Sequence, residues 1–372
     1  MNSQVAIVQC KSYNPDLVLE AVRKVVDLIG GITHYIQPKS KVLVKPNLLM
    51  AKEPEWGIDT HPAVVRAVVK ILKEIDCQIY LGDGPSVWGS QAENVDKVYE
   101  KSGMRQVADG ENIELVKFDK KRWRKNFPLS TWLDDCDYLV SLPKFKTHDL
   151  MTLTGAIKNL FGLVSDTYKT ELHKKYFRAE DFARMLVDIY QEARPALTVI
   201  DGITAMEGDG PGTSGKLRNP GLLFAGSDGV ALDSILALIM GLKPLDILST
   251  REAAQRGMGI ADINKIEILG VGLKDIIEAP FKLPGTSIYK KIPRPVLEIA
   301  KNLIRFYPRI HHGNCTRCQV CIWICPQKVM SIKNNRVAID YSGCISCFCC
   351  QEVCPASAIK VKKSVLAKII GL

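Results

Sequence analysis

Two runs of cysteine near the end of the chain carry its clearest chemistry. Cys315, Cys318, Cys321 and Cys325 are followed by Pro326, and Cys344, Cys347, Cys350 and Cys354 by Pro355. Each run reads C-x2-C-x2-C-x3-C-P, a spacing that holds two cubic iron–sulfur clusters, with the fourth thiolate of each run given to the other cube. Three thiolates three residues apart wrap one cube, and the proline then turns the chain so that the fourth reaches its neighbour. The first [4Fe–4S] cluster is therefore expected on Cys315, Cys318, Cys321 and Cys354, and the second on Cys344, Cys347, Cys350 and Cys325. Zinc is the competing metal, but it takes four ligands in two separated pairs. A triplet with a distant fourth, written twice, fits two [4Fe–4S] clusters better. Cys349 stands outside both sets and reads as a small buried filler, as do Cys10, Cys77 and Cys136 beside apolar runs.

A second group of reactive side chains lies far upstream, just past short apolar runs. Lys45 and Asn47 follow residues 41–44, and Asp83 follows 78–81. Lys144, Lys146, Thr147 and His148 follow 138–142, Asp201 follows 197–200, and Lys158 and Asn159 sit in a helical stretch at 154–163. In an open α/β sheet, ligands bind beyond the carboxyl ends of the strands, and cations near helix N-termini suit an anion. Taken singly, each lysine reads as a solvated surface group. Taken together, Lys45, Asn47, Asp83, Lys144, Lys158 and Asn159 are expected to bind a small anionic substrate, a carboxylate or phosphate. Lys146, His148 and Asp201 are the candidates for catalytic proton transfer. His61, before Pro62, reads as a helix cap.

The elements that must position these groups follow from periodicity. Apolar runs at 5–8, 41–44, 78–81, 113–118, 138–142, 197–200, 222–225 and 266–269 alternate with helical stretches at 16–29, 154–163, 182–193 and 230–240, and with the stripe Val64, Val68, Ile71 and Ile75. The expected fold is α/β: a large domain at 1–280 with a mostly parallel sheet flanked by helices. Residues 281–310 read as a basic linker with an amphipathic helix near 296–304, residues 311–362 as the cluster module, and 363–372 as a short tail.

Two nucleotide motifs fail on inspection. Gly210-Pro-Gly-Thr-Ser-Gly-Lys216 fits G-x4-G-K, but Leu217 stands where a magnesium-binding Ser or Thr is required. Gly82-Asp-Gly84 lacks a third glycine at the dinucleotide spacing. No nucleotide or flavin motif is present, and residues 207–215 read as a mobile acidic loop or a surface loop.

Composition bounds the rest. A chain of 372 residues, 47% hydrophobic and 24% charged, is that of an ordinary globular protein of two domains. It has no uncharged apolar window of the length a membrane helix needs and no signal-peptide pattern, and thiolate clusters need a reducing compartment. A cytoplasmic location is expected. The net charge of +10 is uneven, with basic runs at 117–125 and 282–309. No nucleic-acid motif accompanies them, so they fit a solvated face or a redox partner protein. Contact of the basic linker or tail with a membrane surface is the weaker alternative.

The segments Val42-Leu-Val-Lys-Pro-Asn-Leu48, Gly82-Asp-Gly-Pro85, Leu142-Pro-Lys-Phe-Lys-Thr-His148, Thr154-Gly-Ala-Ile-Lys-Asn-Leu-Phe-Gly162 and Asp201-Gly-Ile203 resemble the family known as domain of unknown function 362. The resemblance spans roughly residues 5–275 and is most specific at 142–162. Members of that family often carry a C-terminal bacterial ferredoxin-like module of α+β fold. The resemblance implies an iron–sulfur protein, an oxidoreductase of anaerobic or reducing metabolism, and names no substrate. Joined to the lysine-rich strand ends, it leads to the expected function: an oxidoreductase passing electrons between two [4Fe–4S] clusters and a small anionic substrate in the α/β domain. The alternative is an electron relay or cofactor-assembly protein that docks a partner enzyme.

Overall fold

The structure, a computed structural model, describes residues 2–85, 95–165, 168–277, 279–285 and 306–364. One long sheet runs in the order Ile266–Gly270, Ser3–Gln9, Leu222–Gly226, Leu197–Gly208, Tyr138–Leu142, Lys41–Pro46, Gln78–Leu81 and Glu114–Leu115. From Leu197–Gly208 to Glu114–Leu115 every neighbouring pair is parallel, as are Ser3–Gln9 and Ile266–Gly270. Only Leu222–Gly226 runs against its neighbours on this path. The sheet is mostly parallel and covered by helices, as βαβ alternation requires.

Strand alternation sends residues to two cores. Val42 and Val44 join one with Val18 and Val22 of the helix Pro15–Asp27 and Val64 and Val68 of the helix Pro62–Lys73. Leu43 points to the opposite face, where Phe182, Leu186 and Ile189 of the helix Ala179–Ala193 cover it. A fully buried side chain of this size contributes about 1.5–3 kcal/mol, so this patterning, repeated over eight strands, fixes the strand ends in space.

The same alternation orders the polar residues. In the strand Lys144–His148, Lys144, Lys146 and His148 share one face, while Phe145 joins an apolar core on the other.

Several expectations change. The run at 113–118 keeps only the short strand Glu114–Leu115. The run at 197–200 extends to Leu197–Gly208, because beyond Asp201 it gains Lys144–His148 and Gly215–Arg218 as partners. The stretch 154–163 splits into the turn of helix Ala156–Asn159 and a tighter turn, Leu160–Leu163. The strand Phe306–Ile310, in the expected linker, pairs with Ile359–Lys363, so the cysteine module begins there. A second hairpin in the module joins Met330–Lys333 to Arg336–Ile339. The linker helix expected at 296–304 and the tail beyond residue 364 lie outside the described residues. Among the described residues no helix is long and apolar enough to cross a membrane.

Candidate functional site

The cysteines ring two cavities. Cys315, Cys318, Cys321 and Cys354 line one, with Val337 and Ile359. Cys325, Cys344, Cys347 and Cys350 line the other, with Met330 and Ile339. Both runs are bent the same way. Arg317 and Gln319 flank Cys318 at φ 58° and 64°, and Ser346 and Phe348 flank Cys347 at φ 55° and 61°. Left-handed backbone at non-glycine residues persists only where the surroundings enforce it; here it wraps the chain round each cavity. Among the described residues, no group of three or more Cys, His, Asp or Glu is placed to hold a single metal ion. Four soft sulfur donors spread around an apolar cavity suit an iron–sulfur cluster.

The second cysteine run is pressed against the α/β domain. Thr213 Oγ1 donates to the Cys354 carbonyl (2.6 Å), and Ser357 Oγ donates to the Thr213 carbonyl (2.7 Å). Gln351 Nε2 donates to the Asp209 carbonyl at 2.9 Å. Gly212 lies so close to the Glu352 carbonyl that a Cβ would collide with it. The segment 209–214 is thus neither a mobile nor a surface loop. It is a clamp for the module, and its glycines, which imitate a phosphate loop in sequence, permit backbone-to-backbone approach.

Beneath this clamp the upstream residues meet, but not as solvated groups. Lys45, Lys144 and Lys146 are all buried. Lys45 Nζ is 2.7 Å from Asp83 Oδ1 and also reaches Asn159 Oδ1 at 3.3 Å. Lys144 Nζ is 2.7 Å from Asp201 Oδ2 and donates to the Tyr13 hydroxyl at 2.8 Å. Lys146 Nζ donates to the Ile58 carbonyl at 2.6 Å; burial pushes its pKa down, and Asp59 opposes that. Charges this deeply buried require such partners. Lys158, half-buried, faces Glu352 from the cysteine module, with Cys349 and Lys45 also near; burial lowers its pKa and Glu352 opposes. The four lysines therefore converge, each opposed by a carboxylate.

His148 joins them. Its Nδ1 accepts from the backbone N–H groups of Leu150 (3.1 Å) and Met151 (3.3 Å). Those bonds occupy the ring's lone pair, so the proton of the neutral ring sits on Nε2, 3.1 Å from Glu352 Oε1. The approach is close but out of line for a hydrogen bond. Burial, then the charge of Lys158, holds the His148 pKa down to about 4. Glu352 is held below the ordinary carboxylate range: burial works against its ionisation, and His148 and Lys158 outweigh it.

Some expected roles fall. Asp201 accepts from Lys144, Tyr13 (2.8 Å), the His61 backbone (3.0 Å) and the Ile203 backbone (3.2 Å), so it has no lone pair left for a base. His148 is a donor at Nε2, not a base. Asp83 is filled by Lys45 and by the backbones of Leu48 and Gly84. Asn47 turns the chain through its backbone bond to Thr60. Lys146, Lys158 and Asn159 stay in the cluster. His61 caps its helix, with Nδ1 accepting from Ala63, and stacks on Tyr13. Sequence reasoning missed Glu352 and His173, whose buried Nδ1 has no hydrogen-bond partner. The only signal for Glu352 is its place as an acid between two cysteines of the second run, Cys350 and Cys354.

Residues 42–237 match the family described as Domain of unknown function (DUF362), more than half of the chain. The chain belongs to this family. Residues 307–355 match a 4Fe-4S dicluster domain, which makes the module an iron–sulfur electron-transfer unit. A thylakoid-associated protein of Synechocystis sp. is 32% identical over 267 residues, covering 70% of this chain and 81% of that protein. The lactate racemase apoprotein of Thermoanaerobacterium thermosaccharolyticum is similar over 61% of this chain and 54% of its own, at 13% identity and a TM-score of 0.37. A Thermotoga maritima protein is similar over 54% and 52%, at 10% identity and a TM-score of 0.34. The chain thus spans about half the length of these two solved structures.

Proposed function

We propose that the chain holds two [4Fe–4S] clusters, one on Cys315, Cys318, Cys321 and Cys354 and one on Cys344, Cys347, Cys350 and Cys325, and serves as an oxidoreductase for a small anionic substrate bound in the α/β domain. When bound, such clusters supply one-electron transfer, at a potential their surroundings set within about −700 to +450 mV. The observation that carries the reading is the position of Glu352. It lies between Cys350 and Cys354 and places its carboxylate against His148 and Lys158 of the α/β domain. A carboxylate is thus already the favoured guest of the Lys158–His148 corner, from a residue two positions after Cys350 and two before Cys354. Lys158 supplies charge and His148 an N–H. Such clusters fit a reducing, cytoplasmic setting.

The test is analytical. After anaerobic reconstitution the chain should carry about eight irons and eight sulfides, and mass spectrometry of anions released from it should show a carboxylate or phosphate whose occupancy falls in Lys158→Met. About four irons, or stoichiometric zinc, would sink the cluster assignment; an anion indifferent to Lys158 would sink the substrate site.

A second reading has its own support. Each lysine of the cluster already faces a carboxylate, which leaves no surplus positive charge for a guest. That balance favours a non-catalytic relay or cofactor-assembly protein, in which the buried pairs only fix the module against the α/β domain.

A further inference from the structure

We infer that the outward side of the cysteine module, formed by the first cysteine run and the hairpin beside it, is the docking surface for an acidic one-electron carrier protein. The inference deepens the electron-transfer reading and rests on it. The two cysteine runs are alike in sequence and backbone but differ in surroundings. In the second, Cys347, Cys350 and Cys354 are buried and residues 351–357 meet the segment 209–214; in the first, Cys321 is buried too, but Thr316, Arg317, Cys318 and Gln319 are exposed.

Charge follows the same division. Residues 306–364 contain eight Lys or Arg and two acids, Asp340 and Glu352. Glu352 is turned inward to His148. The exposed Asp340 keeps its charge, its carboxylate accepting from the Ser342 backbone N–H at 3.0 Å and hydroxyl at 2.6 Å, and is one exposed acid against five exposed basic residues. Arg309, Arg317, Lys328, Lys333 and Arg336 are all exposed. Two pairs of these basic residues sit directly opposite each other across strands, Arg309 with Lys360 and Lys333 with Arg336. Like charges in direct cross-strand register are destabilising, and a merely solvated face has no use for them. Thiolate-bound clusters bring negative charge of their own, but at the centre of the module, which leaves the rim basic.

An aromatic anchor completes the surface. Trp323 is 52% exposed on the turn between Cys321 and Cys325, one a liner of each cavity. Its short helix, Val320–Ile324, touches the hairpin strand Met330–Lys333 that ends in Lys333, and Arg317 and Lys328 are near it in sequence; an exposed Trp with basic residues nearby is the composition of an interface core with a steering rim. The exchange itself moves one electron from a reduced carrier to the module, with no atom transferred.

The test uses the full chain with its clusters and an acidic plant-type [2Fe–2S] ferredoxin as the probe, with a basic c-type cytochrome as control. The ferredoxin should bind, and its affinity should drop by roughly tenfold or more between about 0.05 M and 0.5 M salt. Lys333→Glu with Arg336→Glu, and separately Trp323→Ala, should each weaken binding by roughly tenfold, with iron content unchanged. Lys120→Glu with Lys121→Glu, in the other basic run, should leave it intact. Equal binding of the cytochrome, or equal loss from the Lys120 and Lys121 changes, would overturn the proposal. So would unchanged binding with a shifted cluster potential, which would make these residues tuners of the clusters. Co-sedimentation with phosphatidylserine vesicles, abolished by the same reversals in the absence of ferredoxin binding, would overturn it in favour of a membrane. Failure with about eight irons present leaves the cluster assignment standing, so the two readings fail separately.

Discussion

His148 Nε2 stands 3.1 Å from Glu352 Oε1, across the boundary between the α/β domain and the cysteine module. The contact joins residues 204 positions apart (352 − 148) and brings the end of an ordered strand to the chain between Cys350 and Cys354. Because Nδ1 is held by two backbone N–H groups, the ring is fixed with its Nε2 toward Glu352 and cannot turn away. With Lys158 it makes the α/β domain a socket for one carboxylate.

Removing that carboxylate should therefore weaken the whole chain. Glu352→Ala leaves Lys158 without its opposing charge. Breaking a buried pair costs about 3–5 kcal/mol, and half-burial of Lys158 brings the expectation to about 2 kcal/mol. Lys158→Met added to Glu352→Ala should recover most of the loss. Urea unfolding of the four proteins of this cycle checks it, and strictly additive losses would show that the two side chains are not coupled.

The cavities predict a crossed pattern of cluster damage. Cys354→Ser should disturb the cluster of Cys315, Cys318 and Cys321, whereas Cys325→Ser should disturb that of Cys344, Cys347 and Cys350. Iron counts with EPR of the reduced proteins distinguish the two clusters once each variant is compared with Cys318→Ser and Cys347→Ser. If Cys354→Ser behaves like Cys347→Ser, each run holds its own cluster.

The fold was legible where periodicity was unbroken. Val42 and Val44 against Leu43, or Val64, Val68 and Ile71 along one helix, fix the faces without any tertiary information. The convergence of Lys45, Lys144, Lys146 and Lys158 was also legible, because strand ends of a parallel sheet lie together. Their partners were not. Asp83 read as part of an anion site and Asp59 gave no signal, and only the folded chain shows that each faces a buried ammonium group. Glu352 was hidden for a different reason: docking of one domain on another leaves no period in the sequence, and a lone acid among cysteines has no repeat to betray it. The glycines at 210, 212 and 215 were visible, but the same residues serve a phosphate or a close backbone, and only Glu352 and Thr147 beside them decide between the two.

Lys45 and Asp83 give the most direct test of the buried pairs. Both side chains are essentially inaccessible, at 0% and 2% exposure. Lys45→Met should cost about 3–5 kcal/mol, because Asp83 keeps its charge in a site closed to water. Lys45→Met with Asp83→Leu should be less damaging than Lys45→Met alone. The denaturant midpoint measures both, and a loss under about 1 kcal/mol would show the pair to be wet.

Three histidines set the response to acid. Burial lowers the pKa of His61, His148 and His173 to about 4 each. A histidine depressed in the folded state contributes full stability above its unfolded value, near about 6.5, and loses it as pH falls from there toward about 4. Each group contributes at most about 1.4 kcal/mol per pH unit within that window. His173→Phe should remove about one proton from the slope. Its ring packs between Phe161 and Phe182, at centroid distances of 5.5 and 4.6 Å, and its Nδ1 has no hydrogen-bond partner, so stability at pH 7 should hold or rise. Urea unfolding at pH 7.0, 6.0 and 5.5 reads the slope directly, and an unchanged slope would mean that His173 binds its proton equally well in the folded and unfolded chain.

The clamp can be tested at one atom. Gly212 packs on the carbonyl of Glu352, and Thr213 next to it accepts from Ser357 and donates to Cys354. A Cβ at residue 212 would run into the Glu352 carbonyl, a backbone group that cannot swing aside as the other neighbour, the Met50 side chain, can. Overpacking of this kind costs about 1–3 kcal/mol, and here the strain falls on the contact between the two domains. Gly212→Ala should therefore keep the iron content, since no ligand moves, and should expose the chain around residues 349–357 to hydrogen exchange. Gly257→Ala is the control, because open space surrounds that glycine although its φ is 67°; strain alone would then destabilise without opening the module. Exchange that rises equally in both variants would mean that the segment 209–214 does not hold the module in place.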